Sequence, residues 1–165
     1  MRKFALSALL LSCAVVLSVS STCAMDWQTW NAGLASAAQA NRPVLVDVYT
    51  DWCGWCKRMD RDVYAKPEIA EYLGAHFVTV RLNAESAEPV TYQGRSGNAR
   101  SLASQFDVSG YPTTIFLTAK GEHLVNVPGY IAPERFMLLL RYIGDGHMDR
   151  GEKWETFVSR SGGAH

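Results

Sequence analysis

The stretch VLVDVYTDWCGWCK, residues 44 to 57, runs directly into two cysteines set two residues apart, Cys53 and Cys56. Five of the seven residues from Val44 to Thr50 are β-branched or aromatic, which predicts a buried strand, and one carboxylate, Asp47, interrupts it. A helix is expected from Cys53 to about Tyr64, stopped near Lys66-Pro67. A cysteine at a helix start faces unpaired backbone N–H groups and the positive end of the helix dipole. Both favour thiolate over thiol, so Cys53 should ionise below the free value of about 8.5 and act as a nucleophile. Cys56, one turn on, suits the resolving role: it attacks a mixed disulfide formed by Cys53 and closes a Cys53–Cys56 bridge.

Two other readings of the pair compete. A zinc site normally needs four ligands. Beyond the first 24 residues there is no second cysteine pair, and His76, His123, His147 and His165 show no ligand spacing relative to one another. A purely structural bridge across two residues closes a very small loop and gains little unfolded-state entropy. Redox catalysis is therefore the favoured reading, with no metal and no cofactor besides the dithiol. A copper(I) carrier using the two thiolates stays open.

Residues 1–24, MRKFALSALLLSCAVVLSVSSTCA, read as an export signal: Arg2 and Lys3 precede an apolar run from Phe4 to Val19, then small and polar residues, with cleavage expected after Ala24. The run is short for a membrane span, which takes roughly 20 apolar residues, and Ser20 to Thr22 is a poor lead-in for lipid attachment at Cys23, so membrane or lipid anchoring is the lesser expectation. Removal of this segment would take Cys13 and Cys23 with it and leave the mature chain at a net charge of about −2. Charges are spread along the remaining chain without a clustered basic face, which argues against a nucleic-acid partner.

The rest of the 165-residue chain suits a domain from 25 to 144, with a polar tail from 145 to 165 that Trp154 and Phe157 could dock. Asp26 is expected to cap a helix from Trp27, with Trp27, Trp30, Leu34, Ala37 and Ala38 on one face. A short helix is expected over Glu68–Leu73 and a strand over His76–Asn83. A long polar connection is expected over 84–98, then a helix over Ala99–Phe106. Strands over Thr113–Thr118 and 123–128 should pair as a hairpin through the turn at 119–122. Pro133 opens a last helix with Phe136, Leu139, Leu140 and Ile143 on one side, ended by Gly144. This order predicts an α/β fold: a central mixed sheet, parallel βαβ plus an antiparallel ββ hairpin, flanked by helices.

VLVDVYTDWCGWCK, VRLN (80–83), FDVSGYPTTIFL (106–117) and PGYIAPERFMLLL (128–140) together resemble the thioredoxin superfamily, in order, over roughly residues 26–144. Within it the chain looks closest to exported reductase-type members. These include periplasmic thioredoxins linked to sulfur-compound oxidation and the C-terminal domain of the transmembrane disulfide reductase.

The resemblance implies roles for several residues. Asp47 would sit behind Cys56 and relay its proton, and Pro112 would be cis beside the disulfide, presenting the Tyr111 backbone to substrate. Trp52 would pack under the motif, whereas Trp55, where thioredoxins carry proline, would be exposed as part of a docking patch. Gly54 and Lys57 complete the motif. Arg81 stands where the family has lysine and would pair with Asp47, keeping it more ionised. Tyr111 replaces a smaller residue and would narrow access or add a stacking surface. No histidine lies between the cysteines, which leans toward a reductant.

The expected protein is thus a periplasmic, monomeric thiol–disulfide oxidoreductase that reduces protein disulfides and is recharged by a membrane thiol donor. A disulfide oxidant or isomerase, and a non-enzymatic copper carrier, are the alternatives.

Overall fold

Val44–Tyr49 forms the central strand, β1, of a four-stranded sheet in the computed structural model, which describes residues 25–162. The expected export signal therefore lies outside the described residues. β1 runs parallel to β2 (Val78–Asn83), with Asp47 opposite Arg81, and antiparallel to β5 (Thr113–Leu117), with Asp47 opposite Thr114. β6 (His123–Pro128) pairs antiparallel with β5, giving the order β2-β1-β5-β6. Both faces of β1 are covered, which is why its sequence is a nearly continuous apolar run rather than an alternating one.

Successive side chains of β1 enter two different cores. Val44, Val46 and Val48 pack with Trp30, Leu102 and Phe106, under α1 (Trp30–Ala40) and α4 (Ala99–Gln105). Leu45 packs with Met59, Leu73, Phe116 and Phe136 on the opposite face. That face is covered by α2 (Gly54–Met59) and the π-helical turn Asp60–Tyr64 that continues it, by α3 (Pro67–His76), and by α5 (Pro133–Gly144). Asp47 shares the side of Leu45, so the one carboxylate of the strand points into this second layer.

Several elements differ from expectation. The first helix starts at Trp30 with Thr29 as its N-cap, rather than at Trp27 behind Asp26. The reason is sheet pairing: Gln28 bridges to Val80, its N–H donating to Thr79 O at 2.9 Å and its carbonyl accepting from Arg81 N–H at 3.0 Å. Residues 25–29 are thereby drawn along the β2 edge, and Trp27 turns away from the α1 face to meet Tyr64 in the other layer, 5.0 Å between ring centroids. The helix after the cysteines is not uniform, because its last turn is π-helical. α3 is longer than expected, running through Gly74 to His76, and β2 accordingly begins only at Val78.

The span 84–98 is not simply a connection. It holds a hairpin, β3 (Pro89–Tyr92) with β4 (Arg95–Asn98), turned on Gln93 (φ 50°) and Gly94 (φ 75°). Two left-handed residues in a two-residue loop match the twist of the flanking strands. Val90 and Tyr92 are its buried anchors. After α5, residues Trp154–Arg160 form α6, whose Trp154 and Phe157 rings lie 5.3 and 5.4 Å from Tyr142. His147 and Arg160 both pair with Glu152 there, at 2.7 and 2.9 Å.

Candidate redox site

The end of β1 turns through Thr50–Asp51–Trp52 into α2, and the Cys53 N–H donates to Thr50 O at 3.2 Å. Cys53 is the N-cap of α2, not its first helical residue: its Sγ accepts from the Cys56 backbone N–H at 3.0 Å. The two cysteines are joined in a disulfide with Cα atoms 5.3 Å apart. Cys53 is 4% and Cys56 5% exposed, so the bridge meets solvent only along a narrow edge. An N–H so placed would stabilise a Cys53 thiolate on opening of the bridge.

Aromatic side chains stand around that edge. Trp52 is 66% exposed and does not pack under the motif as the resemblance implied. It belongs to the turn before the helix, outside the helix's buried face. Its indole N–H instead donates to Glu85 at 3.0 Å, and its ring meets Tyr111 edge-on at 6.0 Å. Trp55, 54% exposed, lies 5.6 Å from Tyr130, and the Arg58 guanidinium stacks over both rings at 5.1 and 5.3 Å. The Tyr111–Pro112 bond is cis, with Pro112 buried and its carbonyl accepting from Gly129 N–H at 2.8 Å. Gly54 and Lys57 are both exposed. A methyl group at Gly54 would touch nothing within 4 Å, so no close contact demands glycine there.

Asp47 is 1% exposed. Its carboxylate accepts from the Tyr64 hydroxyl at 3.3 Å and faces an Arg81 guanidinium nitrogen at 3.2 Å. Burial pushes its pKa from 3.8 to about 6; Arg81 pulls it down, and the neighbouring Asp60 charge pushes it up again. The expected pairing with Arg81 is present, but desolvation outweighs it and Asp47 is not held ionised well below neutrality. Arg81 is moreover shared: it also pairs with Asp60, and its guanidinium is clasped between the rings of Trp27 at 4.7 Å and Tyr49 at 5.2 Å.

Sequence reading missed Asp60, Tyr64, Glu85, Arg58 and Tyr130 in this neighbourhood. Asp60 and Arg58 had a usable signal, since they lie within about one helical turn of Cys56 and Trp55. Tyr130 and Glu85 arrive from distant loops, with no local pattern to mark them. Among the described residues no group of three or more His, Cys, Asp or Glu side chains is placed to hold a metal ion.

The site thus combines a disulfide at a helix cap with a carboxyl buried on the face of β1 that α2 covers, its proton held more tightly than that of a free aspartate. The thioredoxin-like domain family matches residues 30–144. The chain belongs to this family. This thioredoxin-like chain has the thioredoxin fold and is a thiol–disulfide oxidoreductase whose redox pair is Cys53–Cys56. It is 26% identical over 125 residues to the disulfide bond reductase DsbH of Chlamydia pneumoniae, covering 71% of this chain and 75% of that protein. It is 35% identical over 107 residues to the thiol:disulfide interchange protein DsbD of Ralstonia nicotianae, covering 64% of this chain but only 16% of that protein. Among solved structures, a thioredoxin from Thermus thermophilus superimposes with a TM-score of 0.63 at 25% identity, over 78% of this chain and 93% of that one. The C-terminal domain of Neisseria meningitidis DsbD in its reduced form shares the fold at TM-score 0.52 and 20% identity, over 67% of this chain and 90% of that one.

Proposed function

We propose that this thioredoxin-like chain is an exported, monomeric reductase of protein disulfides, kept reduced by a membrane thiol donor. The Cys53 thiolate attacks one sulfur of a substrate disulfide, the other substrate sulfur leaves as a thiolate and takes a proton, and a mixed disulfide forms. Cys56 then gives its proton to the Asp47 carboxylate, and its thiolate attacks Cys53 Sγ. The second substrate thiol departs, and the electron pair has passed from the dithiol to the substrate, leaving the Cys53–Cys56 bridge. The observation that carries this reading is Asp47, buried on the side of β1 that α2 covers, with a pKa near 6. A carboxylate of that strength is mostly ionised at neutral pH and can accept the Cys56 proton as its sulfur attacks, then release it to solvent.

Two further features support it. The relatives named as a disulfide bond reductase and as thiol:disulfide interchange proteins favour exchange with other proteins' disulfides. Trp52 and Trp55, the large exposed apolar side chains of the described residues, flank the disulfide and offer substrate a docking surface. Location outside the cytoplasm rests on the signal-like residues 1–24, and no helix among the described residues is long and apolar enough to cross a membrane.

The direction is tested by equilibrating the protein against glutathione buffers. A reductant should show a Cys53–Cys56 potential near that of thioredoxin, about −270 mV. A value above roughly −180 mV would place it with isomerases and oxidants and reverse the proposed direction.

A further inference from the structure

The π-helical turn Asp60–Tyr64 lies immediately after the cysteine helix, closed by an Ala65 N–H to Asp60 O bond of 3.0 Å. Such wide turns are rare and concentrate at functional sites. The extra residue rotates the succeeding side chains by roughly 100° relative to a straight helix. Tyr64 is the last residue of that turn. Its ring is held edge-on between Trp27 at 5.0 Å and Phe136 at 5.6 Å, and its hydroxyl is delivered to Asp47 at 3.3 Å, with both residues buried.

We infer that Tyr64 is a positioning residue of the redox centre: the π turn aims its buried hydroxyl at the Asp47 carboxylate and so sets how tightly that group holds its proton. The inference rests on the proposed proton role of Asp47. Four other groups face Asp47. Arg81 reaches it from β2, Asp60 from the π turn, Tyr49 from its own strand and Thr114, an uncharged hydroxyl, from β5. Arg81, the stronger charge beside Asp47, is partly exposed and divided between two carboxylates, whereas Tyr64 is a fully buried donor to it. Burial also holds the Tyr64 phenol well above its ordinary pKa, so it remains a donor across the working pH range.

The test is the titration of the Asp47 carboxyl carbon, followed by NMR in the oxidised protein, where no turnover is needed. Tyr64→Phe keeps the ring packing and removes only the hydroxyl. Loss of a charge-assisted hydrogen bond should raise the Asp47 midpoint by about one pH unit, and the pH dependence of mixed-disulfide resolution should move up by the same amount. In an Asp47→Asn background the substitution should leave the pH profile where it was. A merely structural role would lower the melting temperature and leave the midpoint in place, and that result overturns the inference. The wild-type protein gives a second readout independent of any variant's folding. The Tyr64 ring carbon bearing the hydroxyl should shift with the Asp47 midpoint, and a signal indifferent to that titration means that the hydroxyl bonds elsewhere. Because neither measurement depends on electron direction, a failed reductase assignment would leave this result standing, and the reverse.

Discussion

Asp47 sets the pH behaviour of the molecule at the scale of a single residue. Its pKa is raised from 3.8 to about 6, so the folded state holds this proton more tightly than the unfolded chain does. The associated stability is full below about pH 3.8 and is lost as pH rises through about 6, by about 3 kcal/mol for a two-unit shift. Asp47→Asn should therefore unfold at higher denaturant than wild type at about pH 7.5, lose its pH dependence between about 4 and 7, and resolve mixed disulfides at least roughly tenfold more slowly. Denaturation at two pH values together with rapid-mixing kinetics checks both halves. A variant less stable than wild type above neutrality would mean that pairing with Arg81 outweighs desolvation. That balance is only half legible in the sequence. A carboxylate within an apolar strand announces its own burial, and Arg81 can be placed opposite it from the register of a parallel pair. Asp60 and the clasp of Trp27 and Tyr49 need three-dimensional proximity, which decided the outcome.

The secondary-structure elements are readable wherever burial writes a periodic pattern. β1, β5 and α5 fall close to their expected bounds because each carries an apolar run or stripe that the core demands. The misplaced ones have other causes. The start of α1 was decided by a distant strand claiming Gln28, which prevailed over a capping aspartate. The π turn at Asp60–Tyr64 leaves no compositional trace. The hairpin β3–β4 was hidden because Arg95–Asn98 contains no large apolar residue, and only Gln93-Gly94 hinted at a turn. That turn carries its own prediction. Nothing lies within 4 Å of a β-carbon added at Gly94, yet φ is +75°, so the cost of substitution is chiefly backbone strain. Gly94→Val should lower stability by about 2 kcal/mol in chemical denaturation while turnover of a small disulfide stays unchanged. A stability loss under about 0.5 kcal/mol would mean that the hairpin turn does not hold this geometry.

Across the whole molecule, the chemistry is laid out in depth: a proton-binding carboxyl between the sheet and the second helical layer, a disulfide at the helix cap, and aromatic rings at the surface. Separating the layers experimentally is direct. Trp55→Ala should raise KM for a protein disulfide several-fold and leave both kcat and the reaction with a small disulfide near wild type, as expected of a docking contact exposed in the free protein. Equal losses on both substrates would show that Trp55 instead shapes the reactivity of the disulfide. The same layering gives the extended segment 25–29 an importance beyond its length. It is pinned by the Gln28–Val80 bridge and a hydrogen bond from Thr79 to Asp26 O, yet it supplies the Trp27 ring that lies over Arg81 and against Tyr64. Fraying of those few residues would admit water beside Asp47 and drop its proton affinity without touching a cysteine. In a variant whose other four tryptophans are phenylalanine, Trp27 emission should follow the wetting of the buried acid, and a protease that nibbles at this segment would detune the enzyme before it unfolds it.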